Sequence, residues 1–352
     1  MALQNYDGRL GTFSYDDTEF GLEYNSYLKY IGNETDGSKI HIPDGIKDCS
    51  HMFQDNKTLE TAPVIPDAAV DCSYMFAGCE KLTEPPELPR NTYEFSGMFS
   101  DCTNLKTAAD FPVTSNEGLR GAAAWASFDT PGNRLNCDRM YANCKNLEKA
   151  PVLPEGINNC GNMFSGCSNL KEAADIPSTV SDCYAMYEGC KSLEKAPEFD
   201  KRGYVDNCCS MFAGCSNLKS APEIPKNIRY TSYMFEDCEN LEDISDPELP
   251  SSIHECTGMF KGCTKLKRAP EIPTSARYCN EMYMWCESIT NKPVIPEYAE
   301  GMDVYTGCTA LEELEEKTAA LKNKSQRFDS ALNIAPDAED ESTLECLGLR
   351  GE

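Results

Sequence analysis

Twenty cysteines in 352 residues are the side chains of this sequence best suited to chemistry, since thiolates bind soft metals, form disulfides and act as nucleophiles. Their placement is periodic. Eight stand three residues before a recurring Met, at Cys49, Cys72, Cys137, Cys160, Cys183, Cys208, Cys256 and Cys279. Ten stand four residues after that position, at Cys79, Cys102, Cys144, Cys167, Cys190, Cys215, Cys238, Cys263, Cys286 and Cys308. Cys209 and Cys346 fall outside both slots. Where the first slot lacks Cys it holds Phe95, Thr231 or Gly301, yet Cys102, Cys238 and Cys308 persist in the second. An obligate bridge between the slots would strand those three. A zinc site wants CxxC-like pairs or nearby His, and His41, His51 and His254 are scattered. The expectation is two ladders of small buried thiols, with no metal and no cofactor. Disulfides between neighbouring coils stay open, because stacked strands lie about 4.8 Å apart and bridged Cα atoms roughly 4.4 to 6.8 Å apart. The sequence has no GxSxG, GxGxxG, phosphate loop or HExxH, and nothing singles out an acid/base pair, so no enzyme is expected.

The cysteines belong to a repeated phrase, Cys-x-x-Met-Phe-x-x-Cys-x-x-Leu, followed by Ala-Pro-x-Ile-Pro. Its anchors are Met52, Met75, Met98, Met140, Met163, Met186, Met211, Met234, Met259 and Met282, with Val304-Tyr305 as a worn last copy. Most steps are 23 residues. Such a period predicts an α/β repeat solenoid, a curved array of about eleven coils in which each buries its apolar face against its neighbours. The three, four, three spacing of Cys, Met, Cys and Leu predicts a short helical turn, and the proline-flanked segment a short strand. The aromatic after each anchor predicts a stacked spine.

Residues 1–40 alternate apolar and polar positions and read as strands covering the first coil; the solenoid runs over 41–310. The single long step, from Met98 to Met140, leaves an insert at about 118–136 carrying Leu119, Trp125 and Phe128. Inserted loops in solenoids often carry binding, which singles out Trp125. Residues 311–332 show a three-four apolar spacing with early glutamates and later lysines, predicting a capping helix. Residues 333–352 read as an acidic tail.

The phrase resembles the BspA-like leucine-rich repeat family, as in Met163-Phe164-Ser165-Gly166-Cys167-Ser168-Asn169-Leu170 with Ile176-Pro177. The resemblance spans about three quarters of the chain. It implies a curved leucine-rich solenoid and a role in protein binding or adhesion, with no catalytic residues to carry over.

Charge narrows the partner. With 58 acidic against 32 basic residues the net charge is -26, which repels nucleic acid and anionic lipid. Twelve residues after the anchors, the x of Pro-x-Ile-Pro is acidic at Glu87, Asp110, Asp175, Glu198, Glu223, Asp246 and Glu271, with Val64, Val152 and Val294 as exceptions. The expectation is a protein–protein interaction module gripping a basic protein through this acidic face and the Trp125 insert. The other reading is a self-assembling scaffold or adhesion subunit joined through its ends, including self-association through the C-terminal helix. No stretch approaches the roughly 20 apolar residues of a membrane span. The opening Met1–Asp7 has no basic cluster or apolar run, which reads as a cytoplasmic address, with cell surface or secretion as the alternative if another segment precedes it.

Overall fold

The computed structural model describes residues 4–6, 9–22, 27–112, 135–244 and 248–334. It begins with four antiparallel strands in the order β1-β2-β3-β4: β1 Gln4–Tyr6, β2 Arg9–Tyr15, β3 Thr18–Leu22 and β4 Leu28–Tyr30. Asp16 and Asp17 both take left-handed φ (44° and 59°), the geometry of the tight turn that joins β2 to β3. Phe20 and Tyr30 pair across β3 and β4 and are buried. The Tyr30 amide donates to the Met52 carbonyl at 2.8 Å and its ring lies 5.3 Å from that of Phe53, so the sheet joins directly onto the first repeat.

From Asp48 to Glu300, successive repeats are linked by parallel bridges at the residue four before each anchor, as in Asp48↔Asp71↔Glu94↔Asn136 and Asn159↔Asp182↔Asn207↔Tyr230. The two longest pieces of this ladder are β5, Leu135–Asn136, and β6, Ile157–Asn159. Between the two Cys slots the backbone is a ribbon of consecutive turns, where sequence spacing suggests a helical turn. Met75, Ala77 and Cys79 amides bond three residues back, to Cys72, Tyr74 and Phe76. The alternate amides of Cys72, Tyr74, Phe76 and Gly78 point instead to Glu94, Ser96, Met98 and Ser100 of the next coil, at 2.7–2.9 Å. Four N–H groups thus hold the stack, three close turns, and the remaining one, of Ser73, donates to an Asp71 carboxylate oxygen at 2.9 Å, which leaves none orphaned.

Alternation of this kind needs a left-handed residue one before and three after each anchor. Tyr74 and Gly78, Asn162 and Gly166, and Ser210 and Gly214 show it, with φ between 53° and 75°. The second position is Gly, Asp or Asn in every repeat except at Trp285 (φ 61°), the residue types that tolerate this conformation. A helix cannot contain such reversals, although it shares the three-four spacing. At Gly214 a Cβ would meet only ordinary contacts, the nearest at 3.6 Å, so backbone conformation alone sets the cost of a side chain there. Gly214→Ala is expected to lower stability by about 1 kcal/mol in urea denaturation. An unchanged midpoint would contradict the left-handed geometry.

The ribbon turns the two Cys slots, Met, the aromatic and the Leu inward, and nearly all are fully buried. Ring centroids from Phe53 to Tyr305 follow one another at 5.4–5.8 Å with interplanar angles of 12° or less. Where the aromatic is Tyr its hydroxyl is satisfied: Tyr187 donates to the Ala174 carbonyl at 3.0 Å and Tyr283 to that of Pro270 at 2.5 Å.

The second-slot thiols share one partner. Cys79 donates to the Phe53 carbonyl at 3.2 Å, Cys190 to that of Phe164 at 3.2 Å and Cys286 to that of Phe260 at 3.0 Å, each reaching the spine residue of the preceding repeat. The first repeat has no preceding repeat of this kind, and there the slot holds Asn56, whose side chain caps the amides of Thr58 and Leu59. In the first slot, Cys256 and Cys279 donate to the carbonyls of Tyr278 and Glu300, and Thr231 makes the equivalent bond to Glu255 at 2.9 Å. At Thr231 a hydroxyl replaces the thiol and keeps the bond. The described cysteines are unbridged. Burial pushes the Cys79, Cys167, Cys215 and Cys256 thiols up to about 12, so they are protonated at neutral pH.

Helix α1, Thr309–Ile334, follows the last repeat. Leu311 is buried against it, and the Ala310 amide donates to the Glu287 carbonyl at 3.0 Å.

Candidate binding surfaces

The segment after each Leu is extended because prolines exclude helix and withhold donors from any ladder. It therefore alternates: in Pro-x-Ile-Pro the Ile side is buried, as at Ile65, Leu88, Ile176 and Ile272, and the x side faces solvent. Glu87, Asp110, Asp175, Glu198, Glu223 and Glu271 are all exposed. So are the exceptions, with Val64 at 84%, Val152 at 79% and Val294 at 79% exposure. Exposure of these valines shows that the position itself is external, whatever residue fills it.

Two site residues stand apart. Trp125, with Leu119 and Phe128 of the insert, lies outside the described residues, and so does Asp246. The residue that pairs with Glu271 across the coils is Glu248, through a parallel bridge. Counting twelve from Met234 misses it because that repeat is two residues longer, whereas the Pro247-Glu248-Leu249-Pro250 phrase marks it plainly. The row continues from Asp175 to Glu198, where an Asp175 carboxylate oxygen accepts from the Glu198 amide at 2.9 Å, and from Ile176 to Phe199 by a bridge. Glu223 has Lys201 at 3.4 Å, an exposed pair of little energetic weight.

A second row, eight residues after the anchors, shows what the chain does with charge elsewhere. Lys106, Glu148, Lys171, Glu194, Lys219, Glu242 and Lys267 alternate in sign from coil to coil. The pairs close at 2.9 Å for Lys171–Glu148 and at 2.6 Å for both Lys219–Glu194 and Lys267–Glu242. Lysine ammonium groups hold the Glu194 and Glu242 carboxyls below their ordinary range. Alternation is the arrangement that stacked charges favour, since like charges directly opposite one another destabilise a sheet. The row of Glu87 to Glu271 keeps one sign instead.

At its N-terminal end the acidic row borders a groove of about 1120 Å³, with Val64, Glu87 and Asp110 along it and Pro63, Pro85 and Pro112 among its walls. Asp44, Asp67 and Glu84 add carboxylates and Arg90 one guanidinium. The groove is open, acidic and ridged by proline rings, a shape suited to an extended segment with cationic side chains.

Sequence spacing did not single out Trp285, which is 48% exposed in its left-handed position. Its ring lies over Gly307 of the next repeat, where a Cβ would come within 2.4 Å of it. Lys261 Nζ sits 5.5 Å from the Trp285 ring centre and 5.9 Å from that of Tyr233, with Glu281 at 2.9 Å and Glu236 at 3.4 Å. This clamp ties successive repeats together by cation–π and ionic contacts. The signal for it was the break in the Gly/Asp/Asn pattern.

Among the described residues, no three or more His, Cys, Asp or Glu side chains converge to hold a metal ion, and no helix is long and apolar enough to cross a membrane.

The family described as the BspA type leucine rich repeat region matches this chain in six copies, over residues 137–267 and 185–312, together half of its length. No curated protein sequence matches it. Among solved structures, it is similar to a leucine rich cell surface protein from Faecalibacterium prausnitzii, at 19% identity and a TM-score of 0.39, covering 85% of this chain and 93% of that one. A leucine-rich repeat protein from Bacteroides ovatus gives 19% identity and 0.39, over 85% and 84%. The leucine rich repeat protein of T. pallidum gives 18% and 0.37, over 61% and 83%.

Proposed function

The chain belongs to the BspA type leucine-rich repeat family, and from that premise we propose that it is a protein-binding module whose acidic row grips a basic segment of its partner. Family membership supports protein binding or adhesion in general. The observation that carries the finer reading is the contrast between the two charged rows. From Lys106 to Lys267 row eight alternates Glu and Lys and neutralises itself, whereas the row from Glu87 to Glu271, interrupted at Val152, is otherwise acidic on exposed positions about 5 Å apart. A chain able to alternate charge on one edge and not doing so on another bears a repulsion that a cationic partner would relieve. The proline-walled groove beside Glu87 and Asp110 suits an extended stretch of that partner. The N-terminal sheet and the first turn of α1 serve in this reading as covers for the ends of the solenoid, an array of about eleven coils. The described cysteines stand unbridged, a state that the reducing interior of a cell would preserve, and that is the compartment of this reading.

The test is capture of partners from native lysate under reducing conditions at low and high salt, with the triple variant Glu198→Gln, Glu223→Gln, Glu271→Gln beside the parent chain. The parent is expected to retain a basic protein whose recovery falls with salt, and the variant to lose roughly tenfold in affinity for it. Equal affinity for parent and variant would sink the acidic-row reading.

A further inference from the structure

Two residues before the first Cys slot, Asp206, Arg229, His254 and Arg277 follow one another coil by coil, each later amide donating to the carbonyl of the one before at 2.9–3.1 Å. Arg229 is neutralised by Asp206, through Nε at 2.5 Å and Nη2 at 2.7 Å. The next two are not: among the described residues, the side chains of His254 and Arg277 make neither hydrogen bond nor ion pair. A second departure lies beside them. Two residues after the proline that ends the extended segment, Ser252 and Ser275 donate to the carbonyls of Ile228 and Ile253 at 2.6 and 2.8 Å. The last repeat has Tyr298 at this place instead, 90% exposed, where its ring adds little to the fold by burial. Tyr278, 43% exposed, is joined to Glu300 by the last parallel bridge.

His254, Arg277, Tyr278, Tyr298 and Glu300 line one open cleft of about 640 Å³. Ala276 is the sole aliphatic residue among the described residues of its wall and is itself buried, so an apolar side chain of a peptide would find no socket there. The cleft offers aromatic faces ringed by donors and one carboxylate acceptor. A pyranose has the matching form, with apolar C–H faces that lie on a tyrosine ring and hydroxyls around its rim. Arg277 adds a preference for negative charge, because a guanidinium fork binds a carboxylate through two parallel hydrogen bonds. We propose that this cleft binds a saccharide unit bearing one carboxylate, a uronic acid, with Arg277 on the carboxylate, Tyr298 under the ring and Glu300 accepting from its hydroxyls. The net charge of -26 works against a densely charged polysaccharide, but a single carboxylate on Arg277 responds chiefly to charges nearer than the screening length of about 8 Å. No residue of the acidic row lines the cleft, so the site does not depend on what that row binds.

Saturation-transfer NMR on the full chain tests it, with methyl glucuronide and methyl galacturonide as probes and methyl glucoside and acetate as controls, each at up to about 10 mM. At least one uronide is expected to receive saturation and to bind about tenfold more tightly than methyl glucoside or acetate. Arg277→Gln is expected to bring that uronide down to the level of the glucoside. Tyr298→Ala is expected to cost both sugars about tenfold and to leave acetate unchanged. Because Arg277 is unpaired and Tyr298 exposed, both variants should keep the urea midpoint of the parent, which separates loss of the site from loss of the fold. Silence of both uronides would overturn the proposal, as would uronide binding that survives either substitution. Acetate bound as tightly as a uronide would overturn the saccharide and reduce the cleft to a simple anion site.

Discussion

Between pH 9 and 10 the folded chain is expected to lose a large share of its stability, under reducing conditions that keep every thiol free. The cause is the buried thiol ladder. Cys79, Cys167, Cys215 and Cys256 are fully buried, and burial pushes each to about 12, whereas a thiol in the unfolded chain ionises near 9. A folded-state pKa above the unfolded one means that the native state holds more protons once the pH passes 9. The stabilisation is complete below that pH and drains away as the pH climbs toward about 12. Each such thiol removes about 1 kcal/mol between pH 9 and 10, so these four remove about 4 kcal/mol. Cys102, Cys144, Cys190, Cys238 and Cys263 are raised in the same direction by the same burial, which deepens the fall. Against a typical total of roughly 5–15 kcal/mol this is a large share of the fold. Urea midpoints at neutral pH, 9 and 10 would read it directly. Replacing Cys79, Cys167 and Cys215 with Ser removes three titrating groups and should flatten the curve, while a midpoint indifferent to pH would show that the ladder is not buried as described.

Phe212→Ala is expected to cost about 3–5 kcal/mol and to split unfolding into two stages. Phe212 is fully buried, with Tyr187 at 5.8 Å on one side and Phe235 at 5.5 Å on the other. Truncation leaves a hole in the middle of a ring stack, and no third layer exists to collapse into it. Each repeat touches only its neighbours, so a weak contact at Phe212 uncouples the repeats before it from those after it. Tyr305→Ala, at the half-buried end of the spine with one ring neighbour at 5.8 Å, should cost about half as much and leave a single transition. Hydrogen exchange measured peptide by peptide during denaturation separates the cases. Protection lost at the same urea concentration on both sides of Phe212 would contradict the nearest-neighbour account.

The repeat, its phase and its inward-facing residues were legible from spacing, because a side chain recurring every 23 residues in a solenoid must meet its own kind in the next coil. The thiol slots were read correctly as structural from their substitutes alone. A slot that accepts Thr231, Phe95 or Gly301 carries no chemistry of its own, and where a donor stands there, as at Thr231, it bonds the Glu255 carbonyl of the next coil. The outward face of the x position was equally plain, since prolines on both sides enforce extended geometry and alternation.

Other features needed the third dimension. A three-four-three spacing fits a helical turn and a ribbon of reversing turns equally well, and only backbone hydrogen bonding to the next coil distinguishes them. The Gly, Asp and Asn at Gly78, Asp101 and Asn143 were the available signal, because those residues accept left-handed φ. Register at Glu248 depended on which residue bridges Glu271, and a two-residue lengthening of one repeat is invisible to counting from the anchor. The contrast between the alternating row and the acidic row existed in the sequence, but its meaning did not: charges 23 or 25 residues apart oppose one another only after the coils stack, as Lys219–Glu194 at 2.6 Å shows. The sequence alone determined what repeats and which side is buried, since both follow from local periodicity. The tertiary structure decided which repeated residues face each other across the coils, since that depends on stacking distance and register, which no single repeat contains.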